Sequence, residues 1–253
     1  KFGYMYKKAK ELNCEYIATG HYARVEYSKE YNRYVIKKSN VGKKDQTYVL
    51  YSIPSDLLSH IIFPLSEFSS KDEIRKIAQE NGLITANKPD SQEICFVPNN
   101  DYVTFLERHN IQGMKYGKIV NINGEVLGKH KGLHRYTIGQ RRGMGISSST
   151  PLYVLKLNKE KNELIVGKEE ELYTDTVYAN ETNCILFDNF KDKMEVQAKV
   201  RYSAEPKDAI IYLNKDNTLT VKFKEKVRAV TPGQAIVFYI GDILVGGGMI
   251  FTK

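Results

Sequence analysis

From Lys115 onward the apolar residues stop recurring at helical intervals and begin to alternate. Alternation puts successive side chains on opposite faces, the period of a half-buried strand and not of a helix. In the C-terminal third, short apolar runs at Val196–Val200, Ala209–Leu213, Leu219–Phe223, Ala235–Tyr239 and Ile243–Val245 are evenly spaced by turn residues. A set of short strands has to hide its edges, either by closing the sheet or by stacking two sheets. A small β-barrel or sandwich is therefore expected there. Ahead of it, Asn123-Gly124 marks a hairpin turn between Ile119-Val120 and Val126-Leu127. Tyr153–Leu155 and Leu164–Val166 flank a polar turn at 158–162.

The N-terminal part reads differently. Phe2, Met5, Tyr6, Ala9 and Leu12 fall at helical spacing, which predicts a helix over 3–13 ending at Asn13. The chain begins on Lys1, inside or at the edge of that helix, so it reads as a fragment of a longer protein. Tyr16–Thr19 is a short buried strand ending at Gly20-His21, the kind of edge where open α/β sheets place their ligands. Residues 24–38 form a hairpin around Glu30–Asn32, and Ser55-Asp56-Leu57-Leu58 starts a helix. Ser70-Lys71-Asp72-Glu73 is a capping box for a helix with Ile74, Ile77 and Ala78 on its apolar face and Asn81-Gly82 at its end. Asn100 or Asp101 caps another helix, with Tyr102, Phe105 and Leu106 inward. The order is a truncated α/β unit, a small mixed α+β segment, and an all-β C-terminal domain.

A chain of 253 residues can hold two or three cores. It has no apolar run near the roughly 20 residues of a membrane span, so no membrane partner is expected. Its three cysteines give neither a disulfide framework nor a zinc spacing, which suits a reducing cytoplasm. The net charge is +8, and most of that excess lies between Lys115 and Arg142, where Lys115, Lys118, Lys129, Lys131, Arg135, Arg141 and Arg142 face a single acid, Glu125. His130 and His134 add donors. Such a stripe fits a phosphate backbone, although a solvated Lys-rich surface has the same composition.

Four strings carry possible chemistry. Gly20-His21 lets a ligand approach the backbone and offers a ring donor. Lys44-Asp45-Gln46 puts a cation, a carboxylate and an amide on one loop, a set able to read base edges. The stretch Leu133 to Gly145 combines guanidiniums, aromatic, histidine and glycines in a way that suits RNA. Cys95 follows the polar, Pro-broken Lys88-Pro89-Asp90-Ser91-Gln92-Glu93-Ile94, so its thiol is expected on a loop, where it can act as a nucleophile, although by composition alone a half-buried structural cysteine is the commoner case. Cys14 and Cys184 read as structural.

In order and spacing these strings resemble the bacterial tRNA-specific 2-thiouridylases. The match runs through Ala18-Thr19-Gly20-His21-Tyr22-Ala23-Arg24, Lys44-Asp45-Gln46-Thr47-Tyr48, Lys88 to Phe96, and His134-Arg135-Tyr136-Thr137-Ile138-Gly139-Gln140-Arg141. It continues in Val200-Arg201-Tyr202 and Thr231-Pro232-Gly233-Gln234. The resemblance implies an α/β remnant of an adenine-nucleotide alpha-hydrolase-like (PP-loop ATPase) domain over 1–58 and 88–101. It also implies a small α+β central tRNA-contacting domain over 59–87 and 102–167, and an all-β barrel over 168–253. It implies ATP, with Mg²⁺, adenylating the C2 oxygen of the tRNA wobble uridine. Sulfur from a cysteine persulfide, supplied by a donor protein, then replaces that oxygen, and a partner cysteine releases it by forming a disulfide. Carried over, Cys95 is the persulfide cysteine and Gly20 touches ATP. His21, Lys44, Asp45, Gln46, Arg201, Tyr202 and Gln234 contact tRNA, with Arg141 and Arg142 added from the basic stripe. The family's Ser-Gly-Gly-x-Asp-Ser phosphate loop and its first catalytic cysteine have no counterpart in this sequence, so the chain is expected to be inactive alone. Two alternatives stay open: a non-catalytic basic RNA-binding β-domain fragment, and an ATP-pyrophosphatase acting on a small molecule.

Overall fold

The structure is a computed structural model describing residues 1–41, 44–87, 97, 101–109 and 115–253. Helix α1 (Phe2–Glu11) buries Phe2 and Ala9 and leads through Asn13, in the left-handed region at φ 56°, into strand β1 (Ile17–Ala18). β1 pairs in parallel with β4 (Ile61–Ile62). Between them, β2 (Ala23–Ser28) and β3 (Arg33–Lys38) form the expected hairpin. The expected helix at Ser55 is a six-residue 3₁₀ turn, Ser55–His60, following Pro54 and lacking a side-chain cap.

Helix α2 (Lys71–Glu80) starts as its sequence predicts, with Ser70 Oγ accepting from Glu73 N–H at 3.3 Å. The reciprocal bond reaches one residue further back than expected: the Glu73 carboxylate accepts from Ser69 N–H at 3.2 Å and from Ser69 Oγ at 3.0 Å. None of its residues is buried, and Ile77 is 45 % exposed, so its apolar face is not covered by the described residues.

A second group of elements follows. Helix α3 (Tyr102–Arg108) is capped by Asp101, which accepts from Thr104 N–H at 3.0 Å. Tyr102, expected inward, is exposed. Strands β5 (Gly117–Asn121), β6 (Val126–His130), β7 (Tyr153–Asn158) and β8 (Glu163–Gly167) make a four-stranded sheet in the order β6-β5-β8-β7. Asn123-Gly124 does turn the β5–β6 hairpin, with Gly124 at φ 84°. Ile119, Leu133, Tyr136, Met144, Val154, Leu164 and Val166 form this sheet's core.

The C-terminal strands are β9 (Tyr173–Cys184), β10 (Lys193–Lys199), β11 (Lys207–Leu213), β12 (Leu219–Arg228), β13 (Ala235–Ile240) and β14 (Ile243–Phe251). They run β13-β10-β11-β12-β9-β14, and β13 pairs again with β14, which closes a barrel. Closure removes the free edges that short strands otherwise expose. β14 also pairs with β3, so the β2–β3 hairpin extends the barrel sheet. Three strands therefore converge on β14, and its Gly246 takes φ 149° with no room for a side chain: a Cβ there would lie 2.1 Å from Asn183 O.

The described residues of Lys1–Lys88, Asp175–Glu225 and Thr231–Lys253 form one compact unit, and those of Pro89–Thr174 and Lys226–Val230 form another. In the first, α1, β1, β3 and the 3₁₀ turn share a core with barrel residues Ile185, Val237, Tyr239 and Leu244. The Gly20 edge and the Lys44–Gln46 loop belong to this same unit. Among the described residues no helix is long and apolar enough to cross a membrane.

Candidate nucleic-acid interface

The Lys44–Gln46 loop is held by its own side chains. Gln46 grips Tyr22 twice: its Oε1 accepts from Tyr22 N–H and its N–H donates to Tyr22 O, both at 2.9 Å. Asp45 faces inward. Its Oδ1 accepts from Ser39 N–H at 3.0 Å and its Oδ2 from Thr47 Oγ1 at 2.6 Å. Thr47 is fully buried, and its oxygen lies 3.2 Å from the hydroxyl of buried Tyr239. Because the Thr47 hydrogen goes to Asp45, Tyr239 must be the donor in that pair. The relay runs from Tyr239 through Thr47 to Asp45 and ties the loop to β13.

The two barrel strings meet at one turn. Thr231-Pro232-Gly233-Gln234 is a tight turn closed by Gln234 N–H donating to Thr231 O at 3.2 Å, with Gly233 at φ 86°. Proline followed by glycine at positive φ is the chemistry of a type II turn. Arg201 Nη2 donates to Thr231 Oγ1 at 2.8 Å. Gln234 Oε1 is buried with no hydrogen-bond partner among the described residues. Next to Arg201, the Tyr202 ring meets Tyr48 edge-on with centroids 6.0 Å apart. Tyr48 donates its hydroxyl to Ala235 O at 2.8 Å, and burial pushes its pKa up to about 12, so it stays a neutral phenol. Lys199 Nζ lies 5.5 Å from the Tyr202 ring centre and 5.9 Å from that of Tyr48.

Electrostatics confirm the clustering. Burial raises the Tyr202 pKa first, the Asp45 carboxylate raises it further, and the Lys44 cation opposes both. Lys71, at the start of α2, has its pKa lowered by burial and then by Arg75 and Lys44. Lys44, Asp45, Gln46, Arg201, Tyr202 and Gln234 thus share one cationic, tyrosine-bearing region of the first unit. Sequence reasoning missed Tyr48, Thr47 and Lys199 as members. Lys199 is the last residue of β10 and Arg201 already lies in the bend that follows, so no strand period links the two.

Gly20 and His21 lie just past the carboxyl end of β1, where Thr19 N–H donates to Ile62 O at 3.1 Å. A Cβ on Gly20 would meet only Leu65 Cδ1, at 3.6 Å, so the chain's own packing does not demand glycine there and the backbone stays open to a ligand. His21 is bonded to Thr19 Oγ1 at 2.8 Å and packed beside Phe2 and Phe63. Burial and then the Lys1 charge lower its pKa, which favours the neutral ring. It lines a cavity of about 340 Å³ with Phe2, Val49 and Ser52. This open edge fits the adenine-nucleotide role implied for Gly20. Among the described residues no cluster of three or more His, Cys, Asp or Glu could hold a metal ion.

The basic stripe belongs to the second unit. Lys115, Lys118, Lys129, Lys131, Arg141 and Arg142 are exposed. Lys118 and Lys129 stand opposite each other across β5 and β6, a like-charge pair that a bound anion would relieve. Arg135, however, is engaged by Glu107, which also lies 3.3 Å from His134 Nε2. His130 is a correction to the sequence reading. It is fully buried, accepts from Gly132 N–H at 3.0 Å and bonds Asn162 O at 3.1 Å, so it braces the sheet and offers nothing to a phosphate. Gln140 shapes the loop carrying the two arginines, accepting from Thr137 N–H and donating to Arg142 O.

Cys95 and its neighbours Asp90, Ser91 and Gln92 lie outside the described residues, as does Lys43. Of the other cysteines, Cys14 is exposed, with only a long contact from its sulfur to Leu12 O at 3.7 Å. Cys184 is partly buried, and desolvation raises its thiol pKa.

Three family profiles match in succession: a "tRNA methyl transferase HUP domain" over residues 1–99, a "tRNA methyl transferase PRC-barrel domain" over 103–168, and an "Aminomethyltransferase beta-barrel domain" over 174–250. Among curated proteins, the tRNA-specific 2-thiouridylase MnmA of Halothermothrix orenii is 49% identical over 251 residues, covering 99% of this chain and 69% of that protein. The one from Clostridioides difficile is 44% identical over 250 residues, with the same coverage. MnmA 1 of Caldanaerobacter subterraneus subsp. tengcongensis is 45% identical over 253 residues, all of this chain and 69% of that protein. With a HUP domain, a PRC-barrel domain and a closed C-terminal β-barrel in this order, the chain belongs to the tRNA-specific 2-thiouridylase family.

Proposed function

We propose that this protein acts in the ATP-dependent 2-thiolation of the wobble uridine of tRNA, taking sulfur from a persulfide-bearing donor protein in the cytoplasm. The observation that carries this reading is convergence: loop 44–46, Arg201-Tyr202 and the turn ending at Gln234 are far apart in sequence yet share one cationic, aromatic region. Cations with half-exposed aromatics suit an RNA loop whose bases are unstacked. In this reading Lys44 and Arg201 take phosphates, and Tyr202 receives a base. Gln46 positions His21 by fixing the adjacent Tyr22 backbone, and His21, neutral, presents a hydrogen bond rather than a charge. ATP, when bound at the Gly20 edge, supplies the activation that makes a uridine C2 oxygen a leaving group. Cys95 carries the sulfur that replaces it.

The test is a thiolation assay with a chain of the relatives' full length, tRNA, ATP and a persulfide donor, read by mass spectrometry of the digested nucleosides. One sulfur at the wobble uridine, dependent on ATP, is expected; a tRNA that gains none would reject the reading.

Arg141 and Arg142, in the second unit, are proposed as separate tRNA contacts. Replacing both with alanine should weaken tRNA binding and lower the slope of log K against log salt by about two phosphate contacts, roughly 1.4–1.8. An unchanged slope in a salt titration would remove the stripe from the interface.

A further inference from the structure

Lys199 sits at the end of β10, opposite Val237 on β13, with its ammonium beside two tyrosine rings. It is partly buried, and among the described residues no carboxylate lies within 4.0 Å of it. The nearest acidic influences are Asp45 and Glu205, which favour its charge, while Lys38 opposes it and burial outweighs them all. Asp45 has already committed both oxygens to Ser39 and Thr47. A cation withdrawn from water with only ring faces as partners remains under-neutralised. Tyr202, the ring it touches, is 46 % exposed and braced from one side by Tyr48, whose hydroxyl is anchored on Ala235 O.

We propose that Lys199, Tyr48 and Tyr202 form a one-nucleotide subsite, in which the Lys199 ammonium takes a backbone phosphate and the Tyr202 ring stacks an unpaired base. Tyr48 is the buttress, holding Tyr202 and Lys199 in register without itself meeting the ligand. The chemistry matches a nucleotide better than an acidic peptide. A peptide carboxylate would use the cation but leave an exposed phenol ring without a planar partner, whereas a nucleotide uses both. Stacking on tyrosine tolerates any base, so the subsite adds grip without adding sequence preference. It rests on the proposed tRNA reading and adds to it a residue that lies outside the matching sequence strings.

The experiment measures tRNA affinity of the full-length protein by fluorescence anisotropy across a salt series. Lys199→Gln is expected to weaken binding about five- to tenfold and to lower the salt slope by about 0.7–0.9, one phosphate's share. Lys199→Arg should restore the slope. Tyr202→Leu should weaken binding about fivefold with the slope unchanged, since it removes a stacking face and no charge. Normal affinity and slope in Lys199→Gln would overturn the subsite, as would an affinity loss with no change of slope. Should Lys199→Gln fail to fold, Tyr202→Leu decides the matter, and full affinity there overturns the proposal. Arg201→Ala separates the two levels. If it weakens binding while Lys199→Gln does not, only the subsite falls; if neither does, the tRNA reading falls with it.

Discussion

Cys95→Ser is expected to abolish sulfur incorporation into tRNA while leaving tRNA affinity within about twofold. The reasoning is chemical. A sulfur carrier has to form a sulfur–sulfur bond, and serine has no sulfur with which to form it. Nor can its hydroxyl substitute as a nucleophile, because a thiol near its usual pKa of about 8.5 is a few per cent thiolate at neutral pH and an unactivated hydroxyl is not ionised at all. The other two cysteines supply the internal controls. Cys14 is exposed, its sulfur 3.7 Å from Leu12 O, and burial favours the protonated thiol of Cys184. Burial disfavours the Cys184 thiolate more than the nearby Arg33 charge favours it, and both cysteines lie outside the matching family strings, so Cys14→Ser and Cys184→Ser should retain sulfur transfer. The measurement is single-turnover thiolation followed by nucleoside mass spectrometry. Normal transfer by Cys95→Ser, or its loss in Cys184→Ser with the fold intact, would move the sulfur to another residue.

The barrel strands were legible because alternation is local: each strand announces its own two faces. Their closure was not, because the β13–β14 and β3–β14 pairings join segments whose partners are chosen by tertiary packing. The turn at Asn123-Gly124 could be read directly, since Gly124 supplies a positive φ that few residues adopt, whereas Thr231–Gln234 entered only as a matching string and its turn came with the structure. Helix α2 was legible in its cap and its apolar face but not in its burial, because an amphipathic pattern shows that a face is apolar and not that it is covered. The site shows the same division. Arg201 and Tyr202 entered through the family resemblance and not from their own residue types, and nothing in Lys44-Asp45-Gln46 tells which way the Asp45 carboxylate turns. Lys199 was one lysine among many until two tyrosine rings, one of them from a distant loop, placed it.

That inward turn makes Asp45→Ala the variant that distinguishes an RNA contact from a structural clamp. The carboxylate accepts from the Ser39 backbone and from Thr47, both buried, and Thr47 in turn accepts from Tyr239. Alanine leaves the Ser39 N–H and the Thr47 hydroxyl without their acceptor. A buried donor stripped of its partner costs about 1–3 kcal/mol, so the pair should cost roughly 2–4 kcal/mol, allowing for relaxation of an edge loop. At about 2–4 °C per kcal/mol for a unit of this size, the melting temperature should fall by roughly 5–15 °C. tRNA affinity should fall with it, because the loop that carries Lys44 and Gln46 loses its anchor to β13. Asp45→Asn keeps one oxygen for the Ser39 N–H and should show a smaller drop in both. Thermal melts followed by circular dichroism, paired with tRNA titrations well below the melting temperature, separate the cases. If Asp45→Ala melts normally and loses only tRNA binding, the carboxylate works at the RNA and the clamp is incidental. If stability and binding fall together, and Thr47→Val reproduces the pattern while leaving Asp45 in place, the buried relay is what holds the RNA-facing loop.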